Sequence, residues 1–73
     1  MIDLNTCDAG DILVLKNGKT VEYVGIRTFK TYTHEVRYPN GCEGNRTVNG
    51  MFDAGNIDHK FNIASIRKKG KRL

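Results

Sequence analysis

Residues 11–27, DILVLKNGKTVEYVGIR, contain the local signals that decide the fold. Four apolar residues, Ile12–Leu15, precede the pair Asn17-Gly18, and after it Val21 and Tyr23 alternate with Thr20 and Glu22, a period of two that is typical of β-strands buried on one face. Asn-Gly is the strongest short signal for a β-hairpin, because both residues tolerate the positive φ of a type I′ turn. The stretch therefore predicts two paired strands, 11–16 and 19–27, with a bulge or sharp bend at Gly25.

A second alternating pattern covers residues 31–38, TYTHEVRY, and stops at Pro39, which cannot donate a hydrogen bond to a sheet. The alternation predicts a half-buried strand in which Glu35 and Arg37 face solvent. The residues predicted to face the core are Tyr32, His34, Val36 and Tyr38.

Two further Asn-Gly pairs, at residues 40–41 and 49–50, predict more turns. The short strand-like runs around and after them are residues 46–49, 51–52 and 61–66. No apolar period of 3.6 persists for the roughly ten residues that a helix needs. About five short antiparallel strands in a 73-residue chain predict an all-β, small SH3-like barrel, with an OB-fold as the alternative.

The order of these segments resembles the small SH3-like accessory proteins of tailed phages and prophages. The resemblance covers residues 10–66 and implies a fold and a genomic setting, with binding of a host protein or of nucleic acid as the expected activity. The segments that carry it are Gly10–Leu15 (GDILVL), Asn17–Lys19 (NGK), Val21–Gly25 (VEYVG), His34–Tyr38 (HEVRY), Asn49–Phe52 (NGMF) and Asp58–Ile66 (DHKFNIASI).

Positive charge is concentrated at the C-terminus. The chain carries 12 basic and 8 acidic residues, a net charge of +4. Five basic residues follow Ile66, so residues 1–66 contain the other seven with all 8 acidic ones and carry about −1. A basic groove for nucleic acid in the barrel would give residues 1–66 a positive net charge. The sequence therefore predicts that any positively charged binding surface lies mostly in the tail.

The sequence predicts three parts, which are an N-terminal leader (1–9), the barrel (10–66) and a basic tail (67–73). The N-terminus has neither the basic start nor the apolar run of a secretory signal, and no stretch approaches the ~20 apolar residues of a membrane span. We therefore expect a cytoplasmic protein in which Cys7 and Cys42 are reduced thiols.

Catalytic and metal signals are weak. The candidate metal ligands Cys7, His34, Cys42 and His59 lie singly along the chain, whereas structural zinc sites use closely spaced pairs. Cys42 and His34 flank one hairpin, but nothing supplies an orienting third residue or an oxyanion hole. The sequence predicts no metal, no cofactor and no enzyme activity.

Two binding functions remain. The first is a phage- or prophage-type interaction module that binds and modulates a host protein, as a monomer or weak homodimer. The alternative is nucleic-acid binding through the tail, which has a further interpretation as a disordered, solubilising terminus. The predicted binding residues are Arg67, Lys68, Lys69, Lys71 and Arg72 in the tail, with Lys30, Tyr32 and Arg37 beside the central hairpin.

Overall fold

The computed structural model describes residues 2–27 and 31–69, which form an all-β domain with one five-stranded antiparallel sheet. The strands are β1 (Ile12–Leu15), β2 (Thr20–Ile26), β3 (His34–Arg37), β4 (Glu43–Arg46) and β5 (Ile63–Arg67), and one turn of 3-10 helix (Leu4–Thr6) precedes them. Their order across the sheet is β4-β3-β2-β1-β5. The predicted all-β class with five short antiparallel strands is confirmed.

The hairpin of β1 and β2 closes around Asn17-Gly18. The Leu15 N–H donates to the Lys19 carbonyl at 2.8 Å, and the Gly18 N–H donates to the Leu15 carbonyl at 2.9 Å. Gly18 has a φ of +88°, which a residue with a side chain rarely adopts. These bonds enclose a three-residue loop with glycine in the left-handed position, a common alternative to the two-residue type I′ turn. The hairpin is therefore confirmed, with a loop one residue longer than predicted.

The predicted irregularity at Gly25 is also present. Tyr23 pairs with Val36 and Gly25 pairs with Glu35, so Val24 is an extra residue that shifts the register between β2 and β3. Such a bulge bends the strand and increases its local twist.

The predicted exposure of the β3 residues is correct at three positions and wrong at one. His34 and Val36 are buried and Arg37 is exposed, as predicted. Glu35, which was expected to face solvent, is only 4% exposed. It forms a salt bridge with Arg27, whose Nε donates to the carboxylate, and this cation supplies the partner that a buried carboxylate needs.

The predicted closure into a barrel is not found, because the sheet is open. β4 and β5 are its two edges, and in residues 2–27 and 31–69 no ladder joins them. After β4 the chain turns at residues 47–51, where the Thr47 N–H donates to the Met51 carbonyl at 3.1 Å. One backbone bond from this turn, the Ile63 N–H to the Gly50 carbonyl at 2.8 Å, links it to the start of β5.

The last three predicted strands differ from the observed ones in position. The predicted run 46–49 overlaps β4 only at Arg46, and residues 51–52 belong to no strand. β4 itself has the sequence EGNR, which lacks the apolar alternation that identifies a strand. β5 begins two residues later than predicted and extends to Arg67.

The core lies on one face of the sheet and includes a residue from the N-terminal segment. Leu4 is fully buried, and its N–H donates to the Val48 carbonyl at 2.8 Å. Residues 2–9 thus include part of the core, which the expectation of a leader did not foresee. In the described part of the chain, no helix is long and apolar enough to cross a membrane. The buried apolar residues are Leu4, Leu13, Leu15, Val21, Tyr23, Val36 and Ile63.

Candidate partner-binding surfaces

The face of the sheet opposite the core, which we call the outer face, carries a row of alternating charges. Residues that pair directly across antiparallel strands point to the same side of the sheet. The register pairs Arg67 with Ile12, Ile12 with Glu22, Glu22 with Arg37, and Arg37 with Glu43. The row therefore reads positive, apolar, negative, positive, negative, and its formal charges cancel.

A second row of the outer face is uncharged. Val14 pairs with Ser65 on one side and with Thr20 on the other. Val14 and its neighbour Ile12 are both half-buried, so two apolar side chains remain partly accessible between polar ones.

The charges of the outer face are only loosely paired. The Arg37 Nη1 atom lies 3.9 Å from Glu22 Oε1, and the two side chains are 47% and 45% exposed. An exposed pair at this distance contributes little to stability, because water screens the attraction. Both groups are available to a partner.

The basic residues of the predicted tail differ in their surroundings. Arg67 is the last residue of β5, and Lys68 and Lys69 follow it and contact the N-terminal part of the chain. Lys71 and Arg72 lie outside the described residues. A truncation after residue 66 would therefore remove groups that bind the body of the domain.

Lys68 is held by a buried carboxylate. Its Nζ lies 2.6 Å from Asp11 Oδ2 and 3.4 Å from Asp8 Oδ2, and Asp11 is 1% exposed. Asp11 also accepts the backbone N–H groups of Asp8 and Lys69, each at 2.8 Å. The Asp8 N–H, the Lys68 ammonium and the Lys69 N–H together lower the pKa of Asp11 to about 2. The same contact with Asp11 raises the pKa of Lys68.

This ion pair ties the two ends of the chain together, and sequence reasoning missed it. Asp8 and Asp11 resemble ordinary turn and solubility residues, and Lys68 resembles a member of a charged tail. The partners Asp11 and Lys68 are 57 positions apart, so no local pattern reports their contact. The Lys68 ammonium is occupied by the fold rather than free for a phosphate.

Of the predicted residues beside the central hairpin, Tyr32 and Arg37 have different surroundings. Lys30 lies outside the described residues. The Tyr32 hydroxyl accepts the Ala54 N–H at 3.0 Å and so contacts the loop after β4, whereas Arg37 lies on the outer face. The structure gives no contact between Tyr32 and Arg37.

Arg46, at the end of β4, is fully buried, a feature that the sequence did not indicate. Its Nε donates to the Phe61 carbonyl at 3.1 Å, its Nη1 to the Asn45 carbonyl at 3.0 Å, and its Nη2 to the Tyr38 hydroxyl at 2.7 Å. The guanidinium lies 5.0 Å from the centroid of the Phe52 ring. In the described ranges no carboxylate forms a salt bridge with it, so carbonyls, a hydroxyl and aromatic faces replace a counterion.

The candidate nucleophiles and metal ligands lie apart. The His34 Nδ1 atom is 2.7 Å from the Tyr23 hydroxyl inside the core, while Cys42 is exposed in a turn. Burial raises the pKa of the Cys7 thiol, which keeps it protonated. The His59 ring stacks on the Phe52 ring. Within residues 2–27 and 31–69, no three potential ligands lie close enough to hold a metal ion.

Comparison with protein-family models, with curated proteins and with solved structures finds no match to this chain. The resemblance to phage accessory proteins therefore stays a prediction.

Proposed function

We propose that the chain is a non-enzymatic interaction module that binds a partner protein through its outer face. The observation that carries this proposal is the row of alternating charges beside Ile12 and Val14. Protein interfaces commonly combine accessible apolar groups with complementary charges that fix orientation and register.

The cancelling charges favour a protein over a nucleic acid at this face. A phosphate backbone that approached Arg37 and Arg67 would also meet Glu22 and Glu43, which lie in the same row. Like-charge contacts of this kind disfavour the wrong partner, whereas a protein can present charges of both signs.

A host protein as the partner, and the SH3-like relationship of the sheet, rest on the resemblance to phage accessory proteins. The open sheet supports the SH3-like assignment in strand number and antiparallel order. Its edge strands pair with no further strand in residues 2–27 and 31–69, and they offer another route to a partner strand or to a weak homodimer. Binding of nucleic acid through the tail is the weaker candidate, because the Lys68 ammonium contacts Asp11.

The test is capture of a partner from a bacterial lysate by the immobilised full chain and by a charge-swapped variant. The fourfold substitution Glu22→Arg, Arg37→Glu, Glu43→Arg and Arg67→Glu reverses the charges of the row, and it keeps the net charge and every cross-strand pair of opposite charges. Because these four side chains are at least partly exposed, we expect the variant to melt like the wild type.

We expect the wild type to retain one protein stoichiometrically at near-physiological salt and the swapped variant to lose it. Equal retention by both would show that net charge, not the pattern of the outer face, governs binding. Failure of the wild type to retain any protein would also contradict the proposal.

A further inference from the structure

A groove beside the loop of the β1–β2 hairpin combines cations with aromatic rings. It lies between the loop of the β1–β2 hairpin and the end of the long loop that precedes β5, and its volume is about 420 Å³, within the range of small-ligand sites. We call it the loop groove. Its lining residues are Leu15, Asn17, Lys19, Thr20, Tyr38, Pro39, Lys60 and Phe61.

The charge of the loop groove has one sign. Lys19 and Lys60 line it, and none of its lining residues is acidic. Both lysines are exposed, and within residues 2–27 and 31–69 neither forms a salt bridge. This distinguishes them from Lys68, whose ammonium is bound by Asp11, and from Arg37, which faces Glu22.

The rings of the groove are held in place by the surrounding fold. The Tyr38 hydroxyl accepts from the buried Arg46, and the Phe61 ring packs edge-on against Phe52 with centroids 5.4 Å apart. Tyr38 and Phe61 are half-buried, so each ring keeps an accessible part. The Lys60 ammonium lies over the Phe61 ring, 5.5 Å from its centroid, so a base that stacks on this face of the ring must displace the ammonium.

Stacking surfaces next to unpaired cations are what a single nucleic-acid strand uses, since every base has a flat face and every phosphate a negative charge. We propose that the loop groove binds one nucleotide unit of a single-stranded nucleic acid. The base stacks on Phe61 or Tyr38, and the phosphate lies between the ammonium groups of Lys19 and Lys60.

This proposal uses the cations Lys19 and Lys60, which belong neither to the charged row of the outer face nor to the tail. The test measures fluorescence anisotropy of a labelled oligouridine of about ten nucleotides, titrated with the full chain at near-physiological salt. Two charge-matched variants are compared, Lys19→Gln with Lys60→Gln in the groove and Lys71→Gln with Arg72→Gln at the C-terminus.

We expect the groove variant to bind roughly 10-fold more weakly than the wild type, with a shallower dependence on salt, and the C-terminal variant to stay within about twofold. Equal losses in the two variants, or a larger loss in the C-terminal one, would overturn the proposal. Absence of wild-type binding would overturn it as well.

A third variant and a competitor sharpen the assignment. Phe61→Leu keeps much of the apolar volume but removes the ring, and we expect roughly 10-fold weaker binding. Its melting curve is recorded first, and the exposed lysine variant keeps the test decisive where Phe61→Leu is poorly folded.

Displacement of the probe by an equal concentration of uridine monophosphate would show a free nucleotide as the ligand and overturn the assignment to a strand.

Discussion

Two ion pairs of this domain, each between a carboxylate and a cation, differ in burial and therefore in their role. Asp11 and Lys68 are 2.6 Å apart with the carboxylate buried, whereas Glu22 and Arg37 are 3.9 Å apart with both side chains about half exposed. Desolvation forces the first pair to be satisfied within the fold, and water leaves the second free to exchange partners. The comparison shows that the position of a cation along the chain does not indicate whether it binds a partner or stabilises the fold.

The substitution with the largest expected effect on stability replaces a buried cation. Arg46→Met removes three hydrogen bonds to partly buried carbonyl and hydroxyl acceptors and the interaction of the guanidinium with two aromatic rings. We expect the free energy of unfolding to fall by about 3 kcal/mol. Urea denaturation measures the change, with Arg37→Met as the control at an exposed arginine, where we expect a change below about 0.5 kcal/mol. Similar losses in both variants would remove the distinction between buried and exposed cations.

A second test compares two aspartates of one cluster. Asp11→Asn keeps the size of the side chain but removes the charge that Lys68 and two backbone N–H groups contact, so we expect a loss of about 2 kcal/mol. The Asp8 side chain is 83% exposed, and Asp8→Asn should change the free energy of unfolding by less than about 0.5 kcal/mol. Thermal melts of both variants check the ranking. An Asp8→Asn variant as unstable as Asp11→Asn would contradict the central role of Asp11.

Acid titration tests the role of Asp11 in the wild-type chain, without a substitution. The pKa of Asp11 falls from 3.8 to about 2, so the unfolded chain binds its proton first. The stabilisation is complete above pH 3.8 and is lost as the pH falls towards 2. Equilibrium unfolding at a series of pH values should show this loss in the wild type and not in Asp11→Asn.

A second titration step belongs to the core. Burial lowers the pKa of His34 below its ordinary value of 6.5, because the charged ring would lose its hydration. The folded state thus prefers the neutral ring, and stability should begin to fall below about pH 6.5. We expect His34→Gln to remove this step while leaving the Asp11 step. A wild-type curve that is flat from pH 7 to pH 5 would contradict the assignment.

The parts of the fold that the sequence predicts correctly are those set by local signals. The hairpin around Asn17-Gly18, the bulge at Gly25 and the buried position of Val36 follow from turn chemistry and from alternation over a few residues. The polar strand β4, with the sequence EGNR, carries no such signal. Hydrogen bonds between its backbone and the neighbouring strand are enough to hold it in the sheet.

The parts that could not be predicted depend on contacts between distant segments. Leu4 joins the core from the N-terminal segment, and Arg46 is buried because carbonyls and rings from other segments surround it. Net charge was also a poor guide, since the near-neutral body still brings Lys19 and Lys60 together in one groove without an acidic lining residue. The net charge of a sequence does not give the electrostatic potential at a particular surface.

The most direct measurement of the contrast between the two ion pairs is a pair of double-mutant cycles. One cycle uses Asp11→Asn and Lys68→Gln, the other Glu22→Gln and Arg37→Gln, and urea unfolding gives the coupling free energy of each pair. We expect the coupling of Glu22 with Arg37 to stay below about 0.5 kcal/mol and that of Asp11 with Lys68 to be several-fold larger. Equal couplings would contradict the assignment of Lys68 to the fold and return it to the residues available for binding.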